Sequence, residues 1–246
     1  MGVKGLSKFV KKYGVTKTLE DYKDKTFAID SFIYIYKFKF LGSIEFFLTK
    51  QIFLLREQGI NPLYVFDGPK KPIQKKETSD KRKESNGMSI TQEDIQQFKD
   101  VITSQNLKYI VAPSEGEKMC SYLVQIGKAD IVLSNDYDCL AFDCGKFLSC
   151  MNEIYTEYDS CNLLENEKLT RHQFTTACIM SGTDYYQQGV KGYGLIKALK
   201  YIRSKETYSI SNVSDDQELL SREPIIQNIF CDFSEEKETL DVFNLE

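Results

Sequence analysis

Four short apolar runs alternate along the chain with longer segments whose apolar positions recur at helical spacing. Thr26 to Ile29, Leu63 to Phe66 and Lys108 to Val111 predict three strands, and Ala129, Ile131, Val132 and Leu133 have the near-continuous apolar character of a fourth, buried on both faces. Leu6, Phe9 and Val10 beside Lys8, Lys11 and Lys12 predict a short helix with a basic face. An aromatic helix begins at Ser31, and a second runs from about Ile44 to Arg56, ended by Gly59 and Pro62. Residues 91 to 105 form an amphipathic pattern through Ile95, Phe98, Val101 and Ile102, and another helix follows Pro113 and ends at Gly127. Strands alternating with helices predict a mostly parallel sheet in a three-layer α/β domain.

The remainder is more helical. Residues 146 to 165 read as one or two short strands and a loop. A helix from Thr170 carries Phe174, Ala177, Cys178 and Ile179, and after the glycine-rich stretch Gly189 to Gly194 another carries Leu195, Ala198, Leu199 and Ile202. This third is expected to pack against the edge of the sheet. The last thirty residues read as helical or loosely ordered.

Acids stand at every strand end. Asp30 follows the first strand, Asp67 the second, Asp136 and Asp138 the fourth, and Glu115 and Glu117 begin the helix after the third. In a parallel sheet these ends share one edge, so acids far apart in sequence converge there. Convergent carboxylates repel one another unless one is protonated or a cation lies between them, and hard oxygen ligands suit Mg²⁺ or Mn²⁺. Singly, each acid has a plainer reading. Ser114-x-x-Glu117 reads as a capping box, Asp136 or Asn135 as a helix cap, Asp67-Gly68 as a turn pair, and Asp184 follows Gly182 in what reads equally as a plain loop. Their occurrence at all four strand ends favours metal binding. Two divalent ions roughly 4 Å apart would serve phosphoryl chemistry. The one histidine, His172, sits on an apolar helix, and neither a Ser-His-Asp nor a Cys-His set can be assembled around it.

Charge sharpens this picture. The net charge is −4, but residues 1 to 83 hold 18 Lys and Arg against 9 Asp and Glu, net +9, whereas residues 215 to 246 hold ten acids against Arg222 and Lys237, net −8. A basic front with an acidic tail is compatible with a polyanionic partner. Seven of those cations crowd into residues 69 to 83, where almost nothing is apolar. The 7 cysteines form no C-x-x-C pair, and no run approaches membrane-spanning length. An intracellular, reducing location, nuclear or cytoplasmic, and no membrane are expected.

The motifs together resemble the flap endonuclease family of structure-specific 5′ nucleases, from Met1 to about Ile202. MGVKGLSKF is similar to the amino-terminal signature, FAIDSFIYIY and YVFDGPKKPIQKK to the first two acidic blocks, and APSEGEK, SNDYDCL and SGTDYY to the remaining blocks in order. The resemblance implies a PIN-like 5′ nuclease fold with a C-terminal helix-hairpin-helix (helix-two-turn-helix) region. It implies that Asp30, Asp67, Glu115, Glu117, Asp136, Asp138 and Asp184 hold two Mg²⁺ or Mn²⁺, with Asp136, Asp138 and Asp184 sharing the outer ion. Lys75 and Arg82 match gateway residues that hold the scissile phosphate. Gly2, Lys70, Lys71, Lys76, Lys81 and Lys83 are further nucleic-acid contacts. Tyr36 matches an aromatic on which a base stacks, and reads equally as a core aromatic. Lys191, Gly192, Gly194 and Lys197 match the hairpin that binds a duplex backbone, where K⁺ at Gly189 and Gly192 often bridges loop and phosphate.

One nuclease domain over 1 to 246 is expected: an α/β core over 1 to 165 with a basic gateway at 69 to 105, a helical DNA-binding region at 166 to 214, and an acidic tail at 215 to 246. Only 47 residues separate Asp67 from Glu115, so the family's helical cap is expected to be reduced or missing, which bears on threading of a free 5′ end. DVFNLE at the end matches no sliding-clamp peptide, and a monomer is expected. The implied activity is hydrolysis of DNA at 5′ flaps, overhangs or single-strand/double-strand junctions, in replication, repair or recombination. The alternatives are an RNA-directed 5′–3′ exonuclease or endoribonuclease of the same superfamily and a catalytically silent nucleic-acid-binding scaffold.

Overall fold

The computed structural model describes residues 2–70, 89–205 and 207–243. Of the residues singled out above, Lys71, Lys75, Lys76, Lys81, Arg82 and Lys83 lie outside them. Among the described residues seven strands form one sheet, in the order β1 (Val15–Lys17), β7 (Ile154–Asp159), β6 (Lys146–Met151), β5 (Ile131–Leu133), β2 (Thr26–Asp30), β3 (Asn61–Phe66) and β4 (Tyr109–Val111). The pairs β2–β3, β3–β4, β2–β5 and β5–β6 are parallel. Only β7 runs the other way, antiparallel to both β6 and β1.

Side-chain alternation along the central strands builds two cores. Phe27 and Ile29 of β2, Tyr64 and Phe66 of β3, and Ile131 and Leu133 of β5 face one side. There they meet α2 (Ser31–Phe40), α3 (Ile44–Glu57) and α4 (Gln92–Ser104) through Tyr34, Ile35, Phe38, Leu48, Ile52 and Phe98. Ala28, Val65 and Val132, the intervening residues, face α1 (Leu6–Val10) and α5 (Gly116–Gln125). By the same two-residue period Asp30 and Asp67 continue the rows of Ala28 and Val65. Both therefore come off the strand ends on the side of α5.

One expectation changes and two open readings are resolved. Residues 146 to 165 are a full hairpin, β6 and β7, followed by α6 (Ser160–Glu167) rather than a loop. That hairpin and β1 extend the four predicted strands to seven. Most positions along β1 and β7 are polar or half-exposed, which leaves little apolar signal there. The C-terminal third does not sit at the sheet edge. α7 (Arg171–Ser181), α8 (Leu195–Arg203) and α9 (Gln217–Cys231) share the core of α1 and α5, with Phe174, Ala198 and Phe230 buried among Leu6, Phe142 and Phe147. Finally, the acidic end is ordered helix. In α10 (Ser234–Phe243) the Glu236 side chain is fully buried 3.4 Å from Lys118 Nζ on α5, and just before α10 Phe233 stacks on Tyr122, with centroids 5.6 Å apart. No described helix is long and apolar enough to cross a membrane.

Strand order dictates where ligands can gather. From β2 the chain moves outward through β3 and β4, then returns to place β5 on the other flank of β2. The crevice beyond the carboxyl ends of β2 and β5 is thus a topological switch point, the usual ligand position in such sheets. Beside it the chain passes close to itself after β3. Gly68 N–H donates to Ser114 O at 2.7 Å, and a Cβ on Gly68 would lie 1.8 Å from the Ala112 carbonyl oxygen. Backbone blocks that position. Gly68→Ala is expected to destabilise the protein by about 1–3 kcal/mol or more, read as a lower midpoint in urea denaturation with an unchanged slope.

Candidate active site

Asp30 closes β2 and caps α2, its Oδ1 accepting from Phe32 N–H at 3.2 Å. Its Oδ2 accepts from Ser134 Oγ at 3.3 Å, and the same hydroxyl accepts from Asp136 N–H at 3.1 Å. Asp136 in turn caps a 3₁₀ turn, Tyr137–Leu140, by accepting from Asp138 N–H at 3.1 Å. The capping reading of Asp136 is therefore correct, Asp30 also proves to be a cap, and both roles coexist with the convergence of the two acids. Burial and the nearby charges of Asp67 and Asp136 push the Asp30 carboxyl up to about 7. Those two causes are the physical signature of crowded acids.

Asp67 reaches the amino end of α5, where its Oδ1 accepts from Gly116 N–H at 2.9 Å. Glu115 stands at the N-cap of α5, yet its side chain makes no capping bond, so the expected Ser114–Glu117 box does not form. Its Oε2 instead accepts from the buried Tyr185 hydroxyl. Glu117, the second residue of α5, is also buried. Burial raises the Cys120 thiol, and Asp30, Glu117 and Asp67 raise it further, which sets these three acids around one side chain.

Asp138 and Asp184 meet across the amino terminus. Val3 N–H donates to Asp138 Oδ1 at 2.6 Å and Gly2 N–H to Asp184 Oδ1 at 3.1 Å. Lys4 N–H ties the same segment to Gly182 O at 2.9 Å. Gly2 is required here. Its φ is +69°, and a Cβ would lie 2.2 Å from Asp138 Oδ1.

The acids thus form two neighbouring groups, with Asp136 beside Asp30 and Asp67 rather than only with the Asp138–Asp184 pair. Among the described residues no three His, Cys, Asp or Glu side chains stand in common reach of one metal ion. Asp30, Asp67, Glu115, Asp136, Asp138 and Asp184 have each taken a protein donor: a backbone N–H, a hydroxyl or a phenol. The donor set still fits a hard divalent cation, because it is all oxygen, largely buried and surplus in negative charge. Asp138 and Asp184 are each held through one oxygen by a backbone N–H.

Other candidates are placed as follows. Tyr36 is 38% exposed on α2, off the core. Lys70 is exposed, its Nζ 3.8 Å from Glu235. In the hairpin between α7 and α8, Lys191, Gly192 and Gly194 are exposed, and Lys197 Nζ donates to Gly192 O at 3.1 Å while lying 4.3 Å from the Tyr193 ring centroid. Gly189 is buried, with a Cβ position 2.5 Å from Met180 O, so its first role is close packing. His172 is exposed and bonds Tyr208 at 2.6 Å. Ser134, the backbone of Val3 and Tyr185 escaped the sequence reading. Only Tyr185 directly follows an acid in the sequence, and nothing local marks Ser134 or Val3.

The architecture has known counterparts. The chain superimposes on the catalytic core of Rad2 in complex with a DNA substrate, at a TM-score of 0.75 and 22% identity over 94% of this chain and 86% of that one. It also superimposes on GEN1 in complex with product DNA and Mg²⁺, at 0.67 and 24% over 99% and 64%. These likenesses define the fold class, the PIN-like 5′ nuclease fold. Within that class the XPG N-terminal domain matches residues 1–88 and the XPG I-region residues 106–184. Flap endonuclease 1-B of Oryza sativa subsp. indica is 27% identical over 254 residues, covering 82% of this chain. The chain belongs to the flap endonuclease family, whose members use divalent metal, and it spans 61% of the length of that rice relative.

The raised Asp30 carboxyl has a thermodynamic consequence. The folded state holds this proton up to about pH 7, the unfolded state only to about pH 4. Stability of the metal-free protein is therefore expected to fall as pH rises from about 4 to about 7. Burial raises Glu223 and Glu236 in the same sense. Thermal melts in EDTA between pH 5 and 7.5 check this, and Asp30→Asn should flatten the slope. Added Mg²⁺ should raise the melting temperature more at pH 7.5 than at pH 5, since ligation requires the ionised carboxyl.

Proposed function

We propose that this protein is a divalent-metal-dependent, structure-specific 5′ nuclease acting on DNA at 5′ flaps, overhangs or junctions of single and double strand. The observation that carries the reading is the convergence of Asp30, Asp67 and Asp136 at the switch point of the sheet, where burial first and then the charges of Asp67 and Asp136 push the Asp30 carboxyl up to about 7. Asp30, Asp67, Glu115, Glu117, Asp136, Asp138 and Asp184 would hold two Mg²⁺ or Mn²⁺. Bound there, the ions would supply an activated water and neutralise charge on the departing oxygen. The protein's own part is to bring the acids to one edge, keep them out of bulk water and release the Asp30 proton. Lys75 and Arg82 would hold the scissile phosphate, with Lys71, Lys76, Lys81 and Lys83 adding charge.

Duplex binding falls to the hairpin. Gly192 and Gly194 let the backbone approach a phosphate, and the first turn of α8 offers N–H donors with no side-chain cap over them. A K⁺ at Gly189 and Gly192 belongs to this reading, although it would compete with Lys197 for the Gly192 carbonyl. Exposure of Tyr36 supports its role as a stacking platform. The working partner is a branched or 5′-ended duplex bound by a monomer.

Asp138→Ala and Asp136→Ala are expected to lower cleavage at least about 10³-fold while leaving duplex binding within about threefold. Labelled flap, nicked, overhang and RNA substrates assayed side by side with Mg²⁺ provide the check. Wild-type rates in either variant would overturn the site assignment. Preferred cleavage of RNA would move the substrate assignment to the RNA-directed alternative, and tight duplex binding with no cleavage even in Mn²⁺ would favour a scaffold.

A further inference from the structure

Glu115 receives a side-chain donor from far along the chain, the hydroxyl of Tyr185. Asp30, Asp67, Asp138 and Asp184 each accept from a main-chain N–H. Glu115 has a longer side chain, with three torsions to restrict, and although its backbone is the N-cap of α5 its carboxylate makes no capping bond. What takes its Oε2 is the hydroxyl of Tyr185, seventy residues away and itself 2% exposed. A phenol buried in apolar surroundings needs a partner, and a buried carboxylate needs donors. Each satisfies the other.

Tyr185 is in turn braced by the C-terminal third. Phe230 of α9 packs edge-on against its ring, with centroids 5.6 Å apart and an interplanar angle of 80°, and is held from the other side by Phe142 at 5.0 Å. Arg222 of α9 donates to the Tyr185 carbonyl at 3.4 Å. The next residue is tied to the same helix, since Tyr186 donates to Asp216 Oδ2 at 2.7 Å and Asp216 caps α9. Helix α9 supplies none of the seven acids, yet it fixes the tyrosine that aims one of them.

We infer that Tyr185 is a positioning residue for Glu115, braced by Phe230 and Arg222 of α9, and that it sets the metal affinity of the site through the orientation of that carboxylate. The inference rests on the metal site proposed above. Groups that orient a ligating side chain typically change metal affinity by about 10–100-fold when removed. Tyr185→Phe keeps the ring and its packing and deletes only the donor.

The test is calorimetric titration of the full chain with Mn²⁺, without nucleic acid, alongside melts in EDTA and cleavage at graded Mn²⁺. Tyr185→Phe is expected to weaken Mn²⁺ binding by about 10-fold or more and to raise the Mn²⁺ needed for half-maximal cleavage by the same factor, with kcat at saturating Mn²⁺ recovered. Phe230→Leu, which keeps the phenol and loosens its brace, is expected to shift affinity the same way by about threefold. A merely structural role would lower the melting temperature and leave Mn²⁺ affinity within about twofold of wild type in both variants, and that result would overturn the inference. Wild-type protein that binds no Mn²⁺ would instead remove the metal site itself, so the two failures are distinguishable.

Discussion

Mutual repulsion between carboxylates at the carboxyl edge of a parallel sheet is the constraint on which this structure depends. Asp30 is buried against Asp67 and Asp136 and cannot ionise at its ordinary pH. Every nearby feature answers to that excess of negative charge. Main-chain N–H groups from three separate segments, at Val3, Phe32 and Gly116, point at carboxylate oxygens. Ser134 donates its hydroxyl to one acid and accepts from the backbone of another. Glycine at position 2 follows from the same crowding, since a Cβ there would meet the Asp138 carboxylate at a contact too short to exist.

These donors come from both ends of the chain. Residues 2 to 4 thread between Asp138 and the loop carrying Gly182 and Asp184, and α9 reaches the site from the far end of the sequence through Tyr185. The edge is therefore closed by segments that the sheet topology does not supply. Such closure explains how acids from four strand ends and one helical loop come to lie largely buried beside one another. Each would otherwise need its own water.

The acidic C-terminal residues take part in that packing. Glu236 is buried against Lys118 on the helix that also carries Glu115 and Glu117, and Glu235 lies near Lys70 at the entrance to the basic segment. A fully buried carboxylate with one cation partner, at 3.4 Å, is a costly arrangement. Its value lies in fixing where α10 sits on α5, and the surface pair at Lys70 adds little. The charge asymmetry along the sequence is thus partly neutralised inside the fold, so net charge by segment overstates how basic the front surface is.

Sequence by itself determined the alternation of strands and helices, the acids at the strand ends and the family blocks in their order. Those signals are local: a β-branched run, a helical period and a carboxylate one residue past a strand are all visible within ten residues. Tertiary structure decided the rest. The edge strand β1 is three residues long and largely exposed, so it carries too little apolar surface to announce itself, and the pairing of β6 with β7 depends on a register that neither segment shows alone. Placement of the C-terminal helices over a sheet face, beside α5, depended on Phe142, Phe174 and Phe230 finding each other across the chain. Tyr185 and Ser134 became legible only there, because a hydrogen bond between residues far apart in sequence leaves no periodicity in either segment. The acids could be foreseen from charge and position. What holds them apart and aims them could not, since that is a matter of which donors the fold brings within 3 Å.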